Sequence, residues 1–284
     1  MKNGLNILNK QFGVTMKAVR TGRKITEKIP MAWSQGTGCK IIDPINKDKE
    51  MPEDVYFYFG ILRGAGDMLK RSMQNGWDYF FTDHAYFNAG HDGPNPWYRI
   101  TKNGHVNSTV VERPADRFEQ NFAKQILPWR EQGSKIIVCP PTGAITWFYD
   151  IQNWLSTTVE ALKQQTDREI VVRDKPMDPQ VSTNAGITNV VGFNKGAQDR
   201  PLEEDLADAH AVVTFNSGVA VKAACEGIPV ICGPECAAYP VANKIEDIES
   251  LQHKDREPWL YNLAYSQFTL DEIRSGFAYQ TLIS

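Results

Sequence analysis

The stretch from Asp205 to Cys236, DLADAHAVVTFNSGVAVKAACEGIPVICGPEC, constrains the fold more than any other part of the chain. Ala211 to Phe215 is short, apolar and β-branched, which suits a parallel strand buried on both faces. Asn216 and Ser217 end it, and either side chain is of a type that caps a helix, while Gly218 lets the backbone approach a ligand closely. In the helix expected from Val219, Ala220, Ala223 and Ala224 are small enough to pack tightly on a sheet. Gly227 fits the position just past the helix end, Pro229 blocks its continuation, and Val230 to Cys232 form the returning strand. The first amides of that helix would be free to meet an anion. A βαβ crossover without a ligand has the same pattern, so the unit by itself fixes topology before it fixes function.

A chain of 284 residues is long enough for two α/β domains. No run approaches the roughly 18 apolar residues of a membrane span, and MKNGLNILNKQFG lacks an apolar signal core, so a soluble cytoplasmic protein with no membrane partner is expected. The five cysteines form no CxxC pair, which points to reduced thiols and to no zinc site. Residues 1–130 carry 19 Lys and Arg against 13 Asp and Glu, and the remainder carries 12 against 21. The halves are therefore +6 and −9, so a large anionic partner would meet the amino half.

From Ser134 onward strands and helices alternate. Lys135 to Cys139 reads as a buried strand, Pro140 to Gly143 as a tight loop, Trp147 to Gln165 as one amphipathic helix, Glu169 to Arg173 as a strand, and Leu202 to Ala209 as a helix. Residues 174–200, rich in Asp, Pro, Asn and Gly, read as a looser connection. Such alternation predicts a parallel sheet whose ligands bind beyond the carboxyl ends of the strands. The amino half shows one unit of this kind, with strands over Val55–Ile61 and Trp77–Thr82 around a helix over Gly64–Gln74. Its Gly60 to Gly66 loop lacks GxGxxG, so no dinucleotide fingerprint is read there. Asp83 to Val111 reads as a long functional loop, and Glu257 to Leu282 as two helices.

The motif NSGVAVKAACEGIPVICG, with VVRDKP at the preceding strand end, resembles the donor-binding segment of capsular polysaccharide glycosyltransferases of the GT-B class. The resemblance covers about residues 134–240. It implies two Rossmann-like α/β domains facing a cleft, a nucleotide-sugar co-substrate, UDP-linked by expectation, and no cofactor. Residues 1–130 would form an acceptor-binding domain, 131–265 the donor-binding domain, and 266–284 a helix packing back on the first. Lys222 stands where those relatives carry the Glu that holds ribose, and Lys175 replaces their His. WDYFFTDHAYF, WYRITKNGH and QFTLDEIRSGFAYQ are also similar to phage proteins that accompany hypermodified DNA bases, which implies double-stranded DNA with hydroxylated bases as the acceptor.

Transfer from a nucleotide diphosphate needs positive charge for the leaving phosphates and a base for the acceptor hydroxyl. Candidates for the donor phosphates are the amides and hydroxyl of Ser217 with Gly218 and Val219, the cations Arg173, Lys175 and Lys222, and Thr142 with Gly143. Lys222 could equally pair with Glu226 one turn on. Amides and cations can do this work with no metal ion. Asp83, or else His84, is the candidate base. His91–Asp92 beside them makes a metal site only on paper, since the intervening glycines and prolines fix no ligand geometry. For an anionic acceptor the candidates are Arg63, Tyr86, Trp97 and Arg99, supported by Lys70, Arg71, Lys102, Arg113, Arg117, Phe87 and Tyr98. Two other functions fit the same residues: a glycosyltransferase or epimerase of surface-polysaccharide metabolism, and a non-catalytic nucleotide- or DNA-binding module.

Overall fold

The computed structural model describes residues 15–90, 93–123, 126–175 and 201–284. The chain divides into two units, Met1–His105 together with Leu263–Ser284, and Val106–Asn262. The expected boundary at 130 therefore moves back to 105, and the returning tail starts at 263 rather than 266.

The first unit is built on β1 (Met16–Val19), α1 (Lys24–Thr37), β2 (Lys40–Ile42), β3 (Val55–Phe59), α2 (Ala65–Asn75), β4 (Tyr79–His84) and β5 (Trp97–Lys102). A late strand, β10 (Gln267–Thr269), completes a six-stranded sheet of order β10-β5-β4-β3-β1-β2. β1 to β4 run parallel, while β5 is antiparallel to β4 and β10 antiparallel to β5. Three expectations are corrected here. The stretch Asp83–Val111 is no continuous loop, because WYRITK alternates sides as a strand and pairs with β4. Asp83 and His84 lie inside β4, opposite Arg99 and Tyr98, rather than beyond the strand. The carboxyl end holds a strand among its helices, because Thr269 and Glu272 form a capping box that starts a new helix directly after β10.

The core of this unit gathers Ile29, Ala32 and Trp33 of α1 with Phe57, Phe80, Tyr98 and Phe268 from four strands. Trp33 stacks on Phe57 at 4.3 Å. The tail helix Leu270–Arg274 lies so close to α1 that a Cβ on Gly36 would fall 2.3 Å from the Ile273 carbonyl oxygen.

The second unit has an all-parallel sheet of order β7-β6-β8-β9, from β6 (Lys135–Cys139), β7 (Glu169–Val172), β8 (Ala209–Thr214) and β9 (Val230–Ile231). Ile136, Val138, Ile170, Val172, Ala211, Val213 and Ile231 point to one face, where Leu155, Val159 and Leu162 cover them. The period of two in strands and of three to four in the helix brings these residues together. The single helix expected over Trp147–Gln165 is two, Gly143–Tyr149 and Trp154–Gln165, separated where Asp150 takes a left-handed φ of 57°. The helix expected over Leu202–Ala209 ends at Leu206, because Ala209 already belongs to β8. Val219–Cys225 is helical as read, and Gly227, with φ of 78°, follows its end. A Cβ there would fall 1.9 Å from the Pro128 carbonyl oxygen, so only glycine fits.

Candidate functional site

In the first unit, the charged residues gather at the carboxyl end of β4. Asp83 accepts a hydrogen bond at Oδ1 from the His84 amide, 2.8 Å. Its Oδ2 lies 3.7 Å from Nη2 of Arg99 across the ladder, with the two side chains 30% and 14% exposed. The Arg99 guanidinium lies 5.5 Å from the Tyr86 ring centroid and 6.0 Å from that of Phe81. Its Nε is buried and meets no acceptor among the described residues. The backbone after β4 is pinned from the far strand of the sheet, since Gln267 Oε1 accepts from the amides of Tyr86 and Phe87 at 2.9 and 3.0 Å.

His105 joins this cluster, and the sequence reading assigned it no role. It is buried edge-on against Phe81 at 4.5 Å, and burial with the neighbouring Arg99 lowers its pKa to about 3 despite the pull of Asp83. Burial alone would raise the Asp83 carboxyl; the Arg99 charge foremost, with His84 and its amide hydrogen bond, outweighs it and holds the group below the usual carboxylate range. A neutral imidazole near an ionised, part-exposed carboxylate is the arrangement by which a protein keeps one group charged and its neighbour uncharged.

The candidate acceptor residues separate on this geometry. Arg99 and Tyr86 belong to the Asp83 cluster. Trp97 is half-buried at the start of β5, paired with Thr269, and Arg63 is exposed on the loop after β3 with φ of 55°. Phe87 and Tyr98 are buried, so their rings serve the core and offer nothing to a base.

The second unit differs. Ser217 Oγ accepts from the Val219 amide at 3.3 Å, and the Ser217 amide donates to Thr214 Oγ1 at 3.3 Å. Thr214 in turn donates to the Cys139 carbonyl at 2.7 Å, tying the ends of β6 and β8. Of the three amides expected to face an anion, only that of Gly218 has no acceptor among the described residues; Gly218 is exposed with open space at its Cβ position. Thr142 caps the helix Gly143–Tyr149 by accepting from the Ile145 amide at 3.4 Å.

Two expected phosphate cations are already engaged. Arg173 is buried and ion-paired with Asp205, and Lys222 bonds Glu226 at 2.6 Å and Glu203 at 3.2 Å. Those contacts, Glu226 foremost, raise the Lys222 pKa. The alternative pairing of Lys222 with Glu226 is thus the one observed. Lys175 is exposed. His91–Asp92 and residues 176–200 lie outside the described residues.

A cavity of about 570 Å³ opens beyond the carboxyl ends of β8 and β9, bordered by Thr214, Gly233, Trp154, Tyr239, Lys244 and Lys254 among others. Its walls come from separate segments of the chain, so no local motif announces it. Among the described residues, no group of three or more His, Cys, Asp or Glu side chains could hold a metal ion, and no helix is long and apolar enough to cross a membrane.

Two α/β units, one with a mixed sheet and one wholly parallel, make a GT-B-like fold. It is similar to two solved structures of Thermosulfurimonas dismutans KpsC. One, a beta Kdo 2,4 transferase, aligns over 89% of this chain and 91% of its own, with TM-score 0.53 and 12% identity. The other, a beta Kdo 2,7 transferase, aligns over 94% and 99%, with TM-score 0.52 and 11% identity. No protein-family model and no curated protein matches the chain by sequence.

Proposed function

We propose that the chain is a glycosyltransferase that moves a sugar from a nucleotide-sugar donor to a hydroxyl group of a surface polysaccharide. The observation that carries this reading is the likeness of fold to the two Kdo transferases over about nine-tenths of the chain. Of the two acceptors expected from the sequence, the glycan fits those neighbours better. Modified DNA is left with the +6 charge of residues 1–130, and Arg99, one of the cations it needed, already faces Asp83.

In this reading Asp83 is the base. The acceptor oxygen attacks the anomeric carbon, the bond from that carbon to the donor phosphate breaks, and the hydroxyl proton passes to the Asp83 carboxylate. The Asp83 carboxyl, held below its usual range, is ionised at neutral pH and can take that proton as the new bond forms, though as a weaker base than an unperturbed carboxylate. The second unit takes the donor, and the leaving phosphates are met by amides and cationic side chains without a metal ion.

A thermal-shift panel with UDP, GDP, CMP and their sugars tests the donor. A nucleotide at 100 times its dissociation constant adds about 2.7 kcal/mol of stability. Stabilisation by one member of the panel is expected, and none by any member would sink the reading. Salt separates the acceptors: transfer to a neutral glycan changes little with ionic strength, whereas transfer to DNA falls steeply.

A further inference from the structure

We infer that Gln267 is a positioning residue for Asp83: its side-chain carbonyl holds the backbone after β4, seats the Tyr86 ring beside the Arg99 guanidinium and so fixes Arg99 against the carboxylate. What Asp83 does in turn rests on the transferase reading. The contacts themselves belong to the first unit alone.

In β10 Gln267 stands opposite Arg99 of β5, and Arg99 stands opposite Asp83 of β4. Residues directly opposite one another share a face of a sheet, so the three form one row across three strands. Phe268, the next residue, points to the other face and joins the core with Trp33 of α1 and Tyr98. The row therefore lies on the face away from α1.

Gln267 is fully buried, at 0% exposure. An amide side chain taken out of water is costly unless its polar atoms are bonded, and an apolar residue would fill such a strand position without that cost. What the glutamine supplies is one acceptor for two donors. The chain leaves the ladder after His84, and Gln267 Oε1 accepts from both the Tyr86 and the Phe87 amide, at 2.9 and 3.0 Å.

The aim of Arg99 depends on that clamp. Its Nη2 is 3.7 Å from Asp83, too long for a hydrogen bond, and its Nε meets no acceptor among the described residues. The rings of Tyr86 and Phe81, at 5.5 and 6.0 Å, are the contacts that orient the guanidinium. Phe81 is fixed inside β4, whereas Tyr86 lies beyond the strand and takes its place from Gln267. Burial raises the Asp83 carboxyl and the Arg99 charge offsets it; the other titratable groups about it are His84 beside it and His105 after β5. An Arg99 that drifts from Asp83 leaves burial as the larger influence.

NMR titration of the Asp83 carboxyl in the full chain, with hydrogen exchange of the Tyr86 and Phe87 amides, tests the link without any substrate. Gln267→Met keeps the length of the side chain and removes the acceptor. Both amides should then exchange about tenfold faster or more, and Asp83 should titrate at higher pH than in the parent. Gln267→Glu keeps an acceptor and should keep both amides protected. Tyr86→Leu leaves the clamp and removes the ring, so Asp83 should again titrate higher, and adding Gln267→Met to it should move Asp83 no further. A general loss of packing would not give that pattern. Where Gln267→Met does not fold, Gln267→Asn, one carbon too short to reach both amides, takes its place. An Asp83 titration equal to the parent's in either single variant, or shifts that add in the double variant, would overturn the inference.

Sugar transfer from UDP-, GDP- and CMP-sugars, measured separately, keeps the two readings apart. In a chain that transfers, the acid limb of kcat/KM should move to higher pH in Gln267→Met. An unmoved limb with an unmoved Asp83 titration overturns the positioning and leaves the transferase. The predicted Asp83 shifts in a chain that transfers no sugar keep the positioning and remove the transferase.

Discussion

The carboxyl end of β4 in the first unit and those of β7 and β8 in the second carry charged residues of the same types, yet the charges are held in opposite ways. At β4, Asp83 and Arg99 stand 3.7 Å apart, and the carboxylate is still 30% exposed. At β7 and after β8, Arg173 is sealed against Asp205, and Lys222 is shared between two glutamates. The first arrangement leaves a carboxylate partly open to solvent. The second spends its charges on holding helices to the sheet. The partners of a charged side chain, more than its place in a motif, decide whether it can bind.

The largest expected effect breaks the sealed pair. Asp205→Ala removes an ion-pair partner of the buried Arg173 guanidinium and should cost about 3–5 kcal/mol in urea unfolding. A loss below about 1 kcal/mol would mean that water reaches Arg173 and that the contrast between the units is false.

Acid should act on the β4 cluster. His105 has a folded-state pKa of about 3 against the ordinary 6.5, so between those values the unfolded chain binds the extra proton and the folded chain does not. Stability is therefore complete above about pH 6.5 and falls as the pH drops toward 3. Asp83, lowered as well, adds a further loss at the acid end of that window. His105→Phe should flatten the fall between pH 6.5 and 4 in a series of melts, and an unaltered slope would show that His105 is open to solvent.

Gly227→Ala should cost about 1–3 kcal/mol, since it combines a left-handed backbone with a clash against Pro128, and a melt that equals the parent's would contradict that packing. The smallest effect is at Lys222. Its two carboxylate partners are part-exposed, so Lys222→Ala should change stability by less than about 1 kcal/mol. Chemical denaturation that showed a much larger loss would place Lys222 nearer to Arg173 in kind than the geometry does.

Much of the second unit was legible in the sequence because its signals are local. Ile136–Cys139 is an unbroken apolar run, Val219 begins its helix directly after Ser217 and Gly218, and Gly227 closes it. The first unit was harder to read. β5 sits inside a stretch rich in glycine and asparagine, and β10 joins its sheet from the far end of the chain, so pairing across distance forms both. The break between the helices at Asp150 depends on a single left-handed residue.

The candidate site divides along the same line. Asp83, Arg99 and Tyr86 were identifiable by type, and the fold brings them together. The sealing of Arg173 by Asp205, the capture of Lys222 by Glu203 and the burial of His105 against Phe81 are tertiary facts, set by residues distant in sequence. A charge count registers these residues without showing which of them are spent.

Sugar transfer by the intact chain, followed by the mass gained by a polysaccharide acceptor in the presence of a nucleotide-sugar, tests the central claim most directly. The account predicts transfer with one donor, and a fall of about 10²–10⁴ in kcat for Asp83→Asn while that donor still binds. No transfer with any donor, or an Asp83→Asn variant as active as the parent, would contradict it.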